Sequence, residues 1–157
     1  MTSTQESIRP LPLIGPSVGL AQAALARLLT GILAESGTSY QAWLGLQRLA
    51  ALGGQATREA YERDLSEWLR LDGRAAARLA GDLVAAGLAD TGPDEIRLTA
   101  QGRGLRENVL AASAKVTQPM LATIDRDDLE TTVRTLDEIT RRARAIPARP
   151  ITTEGNR

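Results

Sequence analysis

Apolar positions recur every three to four residues through most of the chain between Pro16 and Pro147, a stretch that contains only two further prolines, Pro93 and Pro119. That spacing is helical, because residues three or four apart share one face of an α-helix. Leu20, Ala24, Leu28, Leu29, Ile32 and Leu33 predict a first helix, capped by Ser17 and ending near Glu35, ahead of Ser36-Gly37. Thr38 or Ser39 caps a second helix, which carries Tyr40, Trp43, Leu44, Leu46, Leu49 and Leu52 and is broken by Gly53-Gly54. Thr57 opens a third, with Ala60, Tyr61, Leu65, Trp68 and Leu69 at helical spacing. Asp72 caps a fourth, whose buried face is expected to be Ala76, Leu79, Leu83 and Ala86 and whose stop is Gly87, a residue suited to left-handed backbone.

After Gly87 the period changes. Two short alternating pieces, Leu88 to Asp90 and Glu95 to Leu98, flank Thr91-Gly92-Pro93-Asp94, and this turn chemistry predicts a hairpin. Thr99 caps a long fifth helix carrying Leu105, Val109, Ala112 and Val116, with Pro119 expected to bend its last turns. Asp125 and Asp128 start a sixth, in which Leu129, Val133, Leu136 and Ala143 repeat. The expected fold is mainly α with a small β-hairpin wing, a winged helix-turn-helix plus long dimerisation helices.

The expected organisation is a flexible arm over residues 1–16, a single winged-helix unit over 17–146 and a loose tail over 147–157. Within the unit, residues 38–99 would form the DNA-binding lobe, and 17–36 with 100–146 the dimerisation helices. A fifth helix of roughly 24 residues extends roughly 36 Å, further than so small a lobe is wide. Part of its apolar stripe would project, and a second copy of the chain is the simplest cover for it.

Composition narrows the chemistry. Among 157 residues there is neither Cys nor His, so disulfides, thiolate or imidazole metal sites and a Ser-His-Asp triad are excluded. The remaining Asp, Glu, Ser and Tyr are scattered, no motif groups them, and the chain reads as no enzyme, with no cofactor and no metal. Hydrophobic residues make up 43% and charged residues 24%, enough to build a core. No signal peptide stands out, and the apolar stretches are broken by Arg or Gly, so a cytoplasmic protein without a membrane span is expected.

The fourth helix carries the candidate chemistry. A helix, a turn, a second helix and then a hairpin is the layout in which the second helix enters a DNA major groove. Gly73, Arg74, Ala75, Ala77 and Arg78 fall on the face opposite Ala76, Leu79 and Leu83. Arg74 and Arg78 are four apart and stack on one side. Arginine reads guanine O6 and N7, and alanine packs on a thymine methyl. The same pattern fits two solvated arginines on an Ala-rich surface helix. Between Ser66 and Arg106 six arginines face six carboxylates, so a basic surface requires segregation of charge and not an excess of it.

Several segments, in order, resemble the MarR family of bacterial winged-helix transcription regulators from about Ser17 to Ala145. "LSEWLRLD" is similar to the family's third helix and turn, "RLAGDLVAAGLA" to its recognition helix running into a strand, and "IRLTAQGRGL" to the Leu-Thr-x-x-Gly that opens its fifth helix. "LLTGILAESGTSYQAWLGLQRLAALGG" resembles the first-to-second helix junction, and "IDRDDLETTVRTLDEITRRARA" the last helix. The resemblance implies a homodimer that binds a pseudo-palindromic stretch of double-stranded DNA, with Arg74, Ala75, Ala77 and Arg78 in the major groove. It implies that Leu65, Leu69, Ala76, Leu79, Leu83 and Leu88 hold the motif together. It further implies release by a small aromatic effector, for which Tyr40, Trp43 and Gln47, with Leu105 or Arg106, are the candidate contacts.

Two features depart from the family pattern. The wing lacks the usual Asp-x-Arg element: "DTGPDEIR" has acids at its tip, and its one DNA-contact candidate is Arg97, near the base. The segment from Gly54 to Tyr61 is also about one helical turn longer than usual. The acidic wing and the zero charge sum motivate a second reading, a winged-helix module that senses a ligand or a protein and does not bind DNA.

Overall fold

A computed structural model describes residues 14–146; most of the expected arm and the whole of the expected tail lie outside the described residues. The chain divides into two compact units, one ending at Lys115 and the other starting at Val116. The order of elements is α1 (Ile14–Glu35), α2 (Tyr40–Ala51), β1 (Gln55–Thr57), α3 (Arg58–Leu69), α4 (Gly73–Ala85), β2 (Ala89–Thr91), β3 (Glu95–Leu98), α5 (Ala100–Leu121) and α6 (Arg126–Ala145).

Side-chain caps set most helix starts. Ser39 Oγ accepts the Ala42 N–H at 3.1 Å, Thr57 Oγ1 the Ala60 N–H at 3.2 Å, and Asp72 Oδ1 the Ala75 N–H at 2.7 Å. Each occupies an amide that has no partner inside its helix. Asp125 does the same for α6, accepting from Asp127 and Asp128. The start of α1 differs from expectation: the helix is already under way at Ile14, so Ser17 lies inside it and Pro16 in its first turn. Proline is tolerated there because the amide it lacks would have had no acceptor.

Past its start, helix α1 follows the spacing of its apolar positions to Glu35 as expected. Gly15, Gly19 and Gly31 are all taken into one continuous helix, and the 22-residue element is long and apolar enough to cross a membrane by length and composition. Of its residues only Leu33 is buried within the chain, while Leu20 remains 74% exposed.

The core gathers α2, α3, α4 and the sheet. Trp43, Leu46 and Leu49 of α2 meet Tyr61 and Leu65 of α3, Leu79 and Leu83 of α4, and Ile96 and Leu98 of β3. On α4 the buried face is Ala76, Leu79, Ala80 and Leu83, whereas Ala86 is exposed. The helix has ended by then; Ala86 is its C-cap, and Gly87, at φ +70°, turns the chain toward β2.

The hairpin lies where the turn chemistry placed it, with a third strand added. β1 pairs antiparallel with β3, Gln55 opposite Arg97 and Thr57 opposite Glu95, and β2 flanks β3 on the other side, giving the order β1-β3-β2. Part of the long segment after Gly54 is therefore strand. Gly53 and Gly54, at φ +86° and +81°, make the reversal out of α2.

Two polar contacts tie α3 onto α2. Arg48 donates from Nε and Nη2 to the two carboxylate oxygens of Asp64, both at 2.8 Å, and its guanidinium lies 3.8 Å from the centre of the Trp68 ring. Trp68 is thus half-exposed and covers an ion pair in place of filling the core.

Deeper in, the fully buried Tyr61 hydroxyl donates to the Gly45 carbonyl at 2.8 Å. Burial pushes the Tyr61 phenol well above its ordinary value, and the Asp64 charge adds to this while Arg48 opposes it. Because the folded-state pKa is the higher one, this contribution is fully present below pH ~10 and is lost as pH rises beyond it, by up to ~1.4 kcal/mol per pH unit. Tyr61→Phe is expected to cost about 1 kcal/mol at neutral pH and to flatten the alkaline decline. Urea unfolding of both proteins at neutral and alkaline pH checks this; parallel alkaline declines would contradict it.

Where β3 passes into α5, the Thr99 hydroxyl donates to the Gly87 carbonyl at 2.7 Å and accepts the Gly102 N–H at 3.0 Å. Gly102 itself sits against backbone: a Cβ there would lie 2.1 Å from the Leu88 carbonyl oxygen. Beyond this junction α5 buries only Val109, leaving Leu110 exposed. In the second unit α6 buries none of its residues, and Val133 and Leu136 are exposed. Arg141 and Arg142 both pair with Glu138 there, which holds its carboxyl below the ordinary value.

Candidate nucleic-acid interface

The turn between α3 and α4 is three residues long, Arg70-Leu71-Asp72. Arg70 takes the left-handed conformation at φ 53°, ψ 41°, which costs a side chain of this kind roughly 1 kcal/mol. The Asp72 cap follows at once, so the direction of α4 is fixed by two successive backbone constraints. Ala76, Leu79, Ala80 and Leu83 then fasten one face of α4 to the core.

The opposite face is the one the sequence singled out. Gly73, Arg74 and Arg78 are exposed, and Ala75 and Ala77 half-buried. Among the described residues neither Arg74 nor Arg78 forms an ion pair or a side-chain hydrogen bond, although Asp82 stands one turn beyond Arg78. Two exposed guanidiniums one turn apart, flanked by small residues, present the planar donor pairs that match guanine O6 and N7.

Arg97 lies in the centre of the sheet, between Gln55 and Asp90 in register, with its side chain on the exposed face and Ile96 beneath in the core. Its Nη2 lies 3.5 Å from where a Cβ of Gly92 would sit, so the guanidinium extends along the hairpin to its turn. The wing also exposes Asp90 and Asp94.

A search of known proteins finds no matching family model and no matching curated protein. Solved structures do match. A MarR family protein from Bacillus stearothermophilus superposes with a TM-score of 0.69 at 19% identity, over 83% of this chain and 92% of that one. This chain has the MarR winged-helix fold. Ligand-free NadR gives a TM-score of 0.69 at 21% identity over 85% of this chain and 98% of its own. The organohalide-sensing regulator RdhR, also ligand-free, gives 0.68 at 17% identity over 92% and 89%. The MarR fold thus accounts for the six helices and the wing.

The effector candidates are dispersed over this MarR fold. Arg106 Nε donates to Gln47 Oε1 at 2.7 Å, so these two meet across 59 residues of sequence. Trp43 belongs to the core, and Tyr40 stands exposed at the start of α2. Leu105 lines a different cleft, of about 430 Å³, with Thr38, Gln101 and Asn108. Of the five, Gln47 and Arg106 are brought into contact, while Leu105 lines a cleft with other residues. Two arrangements escaped the sequence. One is the Arg48–Asp64–Trp68 stack. The other is an open cleft of about 450 Å³ where Arg103 and Arg106 adjoin Gly53, Gly54 and Leu98. Arg103 and Arg106 are three apart on a predicted helix, which is a signal for a shared face but not for what that face adjoins.

Proposed function

We propose that this protein is a homodimeric, sequence-specific DNA-binding transcription regulator, a ligand-responsive repressor that recognises a pseudo-palindromic operator in the cytoplasm. The observation that carries the reading is the bare pair Arg74 and Arg78 on the outer face of a helix whose inner face is fully engaged. Gly73, Ala75 and Ala77 leave room for the duplex, and Arg97 is the side chain on the wing available to a phosphate. The exposed apolar residues Leu20 and Leu25 of α1, and Val133 and Leu136 of α6, support cover by a second copy. Two recognition helices so paired would read half-sites about 34–36 Å apart.

Ligand response is supported by two neighbours of the same fold, one solved with 2,4-dichlorophenol and one with 4-hydroxyphenylacetate. A small aromatic effector that binds one arrangement of the lobes better than another would weaken DNA binding by shifting the population.

Salt dependence tests the reading. Anisotropy titrations of labelled duplex from the upstream region should give saturable binding whose log K falls linearly with log salt, with a slope of magnitude about 5 if some six phosphates are neutralised. No saturable complex at low salt, with the dimer intact, would favour a ligand- or protein-sensing module instead. The acids exposed on the wing, Asp90 and Asp94, are the observation on that side.

A further inference from the structure

We infer that the cleft between the end of α2 and the start of α5 is a binding site for the oxyanion of a small molecule, a carboxylate or a phosphate, gripped by Arg103 and Arg106. Both guanidiniums are already oriented. Arg103 Nη1 donates to the Leu98 carbonyl at 2.8 Å, and Arg106 Nε to Gln47 Oε1 at 2.7 Å. Each anchor is a neutral oxygen and occupies a single N–H, leaving the rest of each five-donor fork for another acceptor. Among the described residues no carboxylate forms an ion pair with either arginine. Two like charges thus line one cleft without an ion-pair partner among the described residues, a placement that an incoming anion relieves.

The surroundings fit an anion with a small organic body. Ala50 and Leu98 give the cleft an apolar wall, Gly53 and Gly54 keep one side free of side chains, and the volume of about 450 Å³ is of the size small ligands occupy. The single carboxylate on the lining, Glu107, is exposed and leaves the local balance positive. A planar carboxylate or a phosphate matches paired N–H donors of a guanidinium, which an ammonium group could not present. Arg97 shares the lining, but its guanidinium reaches toward Gly92.

The inference needs neither DNA binding nor release from DNA, and its test uses neither. Inorganic phosphate and benzoate are titrated separately into the 15N-labelled full chain at constant ionic strength, following the amides of Gly53, Gly54 and Leu98. Saturable shifts at these amides are expected with at least one probe. Phosphate alone would identify a phosphate site, benzoate alone or more tightly a carboxylate site with an apolar body. Arg106→Gln should weaken binding at least tenfold, as should Arg103→Lys, which keeps the charge but loses the fork. Arg63→Gln, on the exposed face of α3, should bind as the parent does. Linear, unsaturated shifts with both probes would overturn the site, as would equal affinity in Arg103→Lys or Arg106→Gln. Shifts at these amides produced by a short DNA duplex and by neither small anion would also overturn it, assigning the pair to the nucleic-acid backbone.

Discussion

Replacing Gly102 with alanine is expected to destabilise the first unit by about 3 kcal/mol or more, the upper end of what overpacking costs, and to lower its melting temperature by ~10 °C or more. The added carbon would lie 2.1 Å from the Leu88 carbonyl oxygen and 3.4 Å from Leu46 Cδ1. The first contact is with backbone, which cannot rotate away as a side chain can. Nor is that backbone free to move. The Leu88 N–H donates to the Leu83 carbonyl at 2.9 Å, the Leu88 carbonyl accepts the Thr99 N–H at 3.2 Å, and the Thr99 hydroxyl bridges to Gly87 and Gly102. Relieving the clash would break the junction that joins the end of α4, the wing and the start of α5. Gly104→Ala, two residues on, meets nothing within 4 Å and should stabilise α5 by up to ~1 kcal/mol. Thermal unfolding of the two variants side by side checks the contrast; equal melting temperatures would contradict the described packing.

The second large effect is on DNA. Under the proposed function, Arg74→Ala with Arg78→Ala is expected to lower affinity for the cognate duplex at least ~100-fold, since each bidentate guanine contact discriminates by about 1–3 kcal/mol and the proposed dimer would present each twice. Affinity for a scrambled duplex should fall less, because the phosphate contribution is spread over other groups. Neither side chain has a partner among the described residues, so the melting temperature should stay unchanged, separating loss of readout from loss of fold. Competition of cognate against scrambled duplex at one salt concentration measures the difference. Cognate affinity unchanged in the double variant would remove α4 as the reading element.

What could be read in the sequence was whatever is decided locally. Asp72, the apolar spacing through Leu83 and the glycine at 87 place α4 within a residue of its observed ends, because caps and periodicity act over a single turn. The one error on its face, Ala86 for Ala80, arises because periodicity says which residues align but not where the helix stops. β1 had no such local signature: Gln55-Ala56-Thr57 is a strand only because β3 lies beside it. The start of the first helix was misjudged for a related reason: Ser17 has the chemistry of a cap, but the helix is already under way at Ile14. At the site, the outer face of α4 follows from spacing alone. The meeting of Arg106 with Gln47, and the distribution of the effector candidates over separate places, depend on how helices far apart in sequence are packed. A tryptophan at helical spacing looks the same whether it lines a cavity or fills a core, and Trp43 fills the core.

The contrast between the two tryptophans gives the protein its own optical reporters. Trp43 is enclosed in hydrocarbon, whereas Trp68 is half in water with a guanidinium stacked on its ring. An indole in each setting emits at a different wavelength, the enclosed one further to the blue. Trp68 lies four residues before the cap of α4, so changes in its emission would follow the α3–α4 turn, while Trp43 would follow the core, with no dye attached to either.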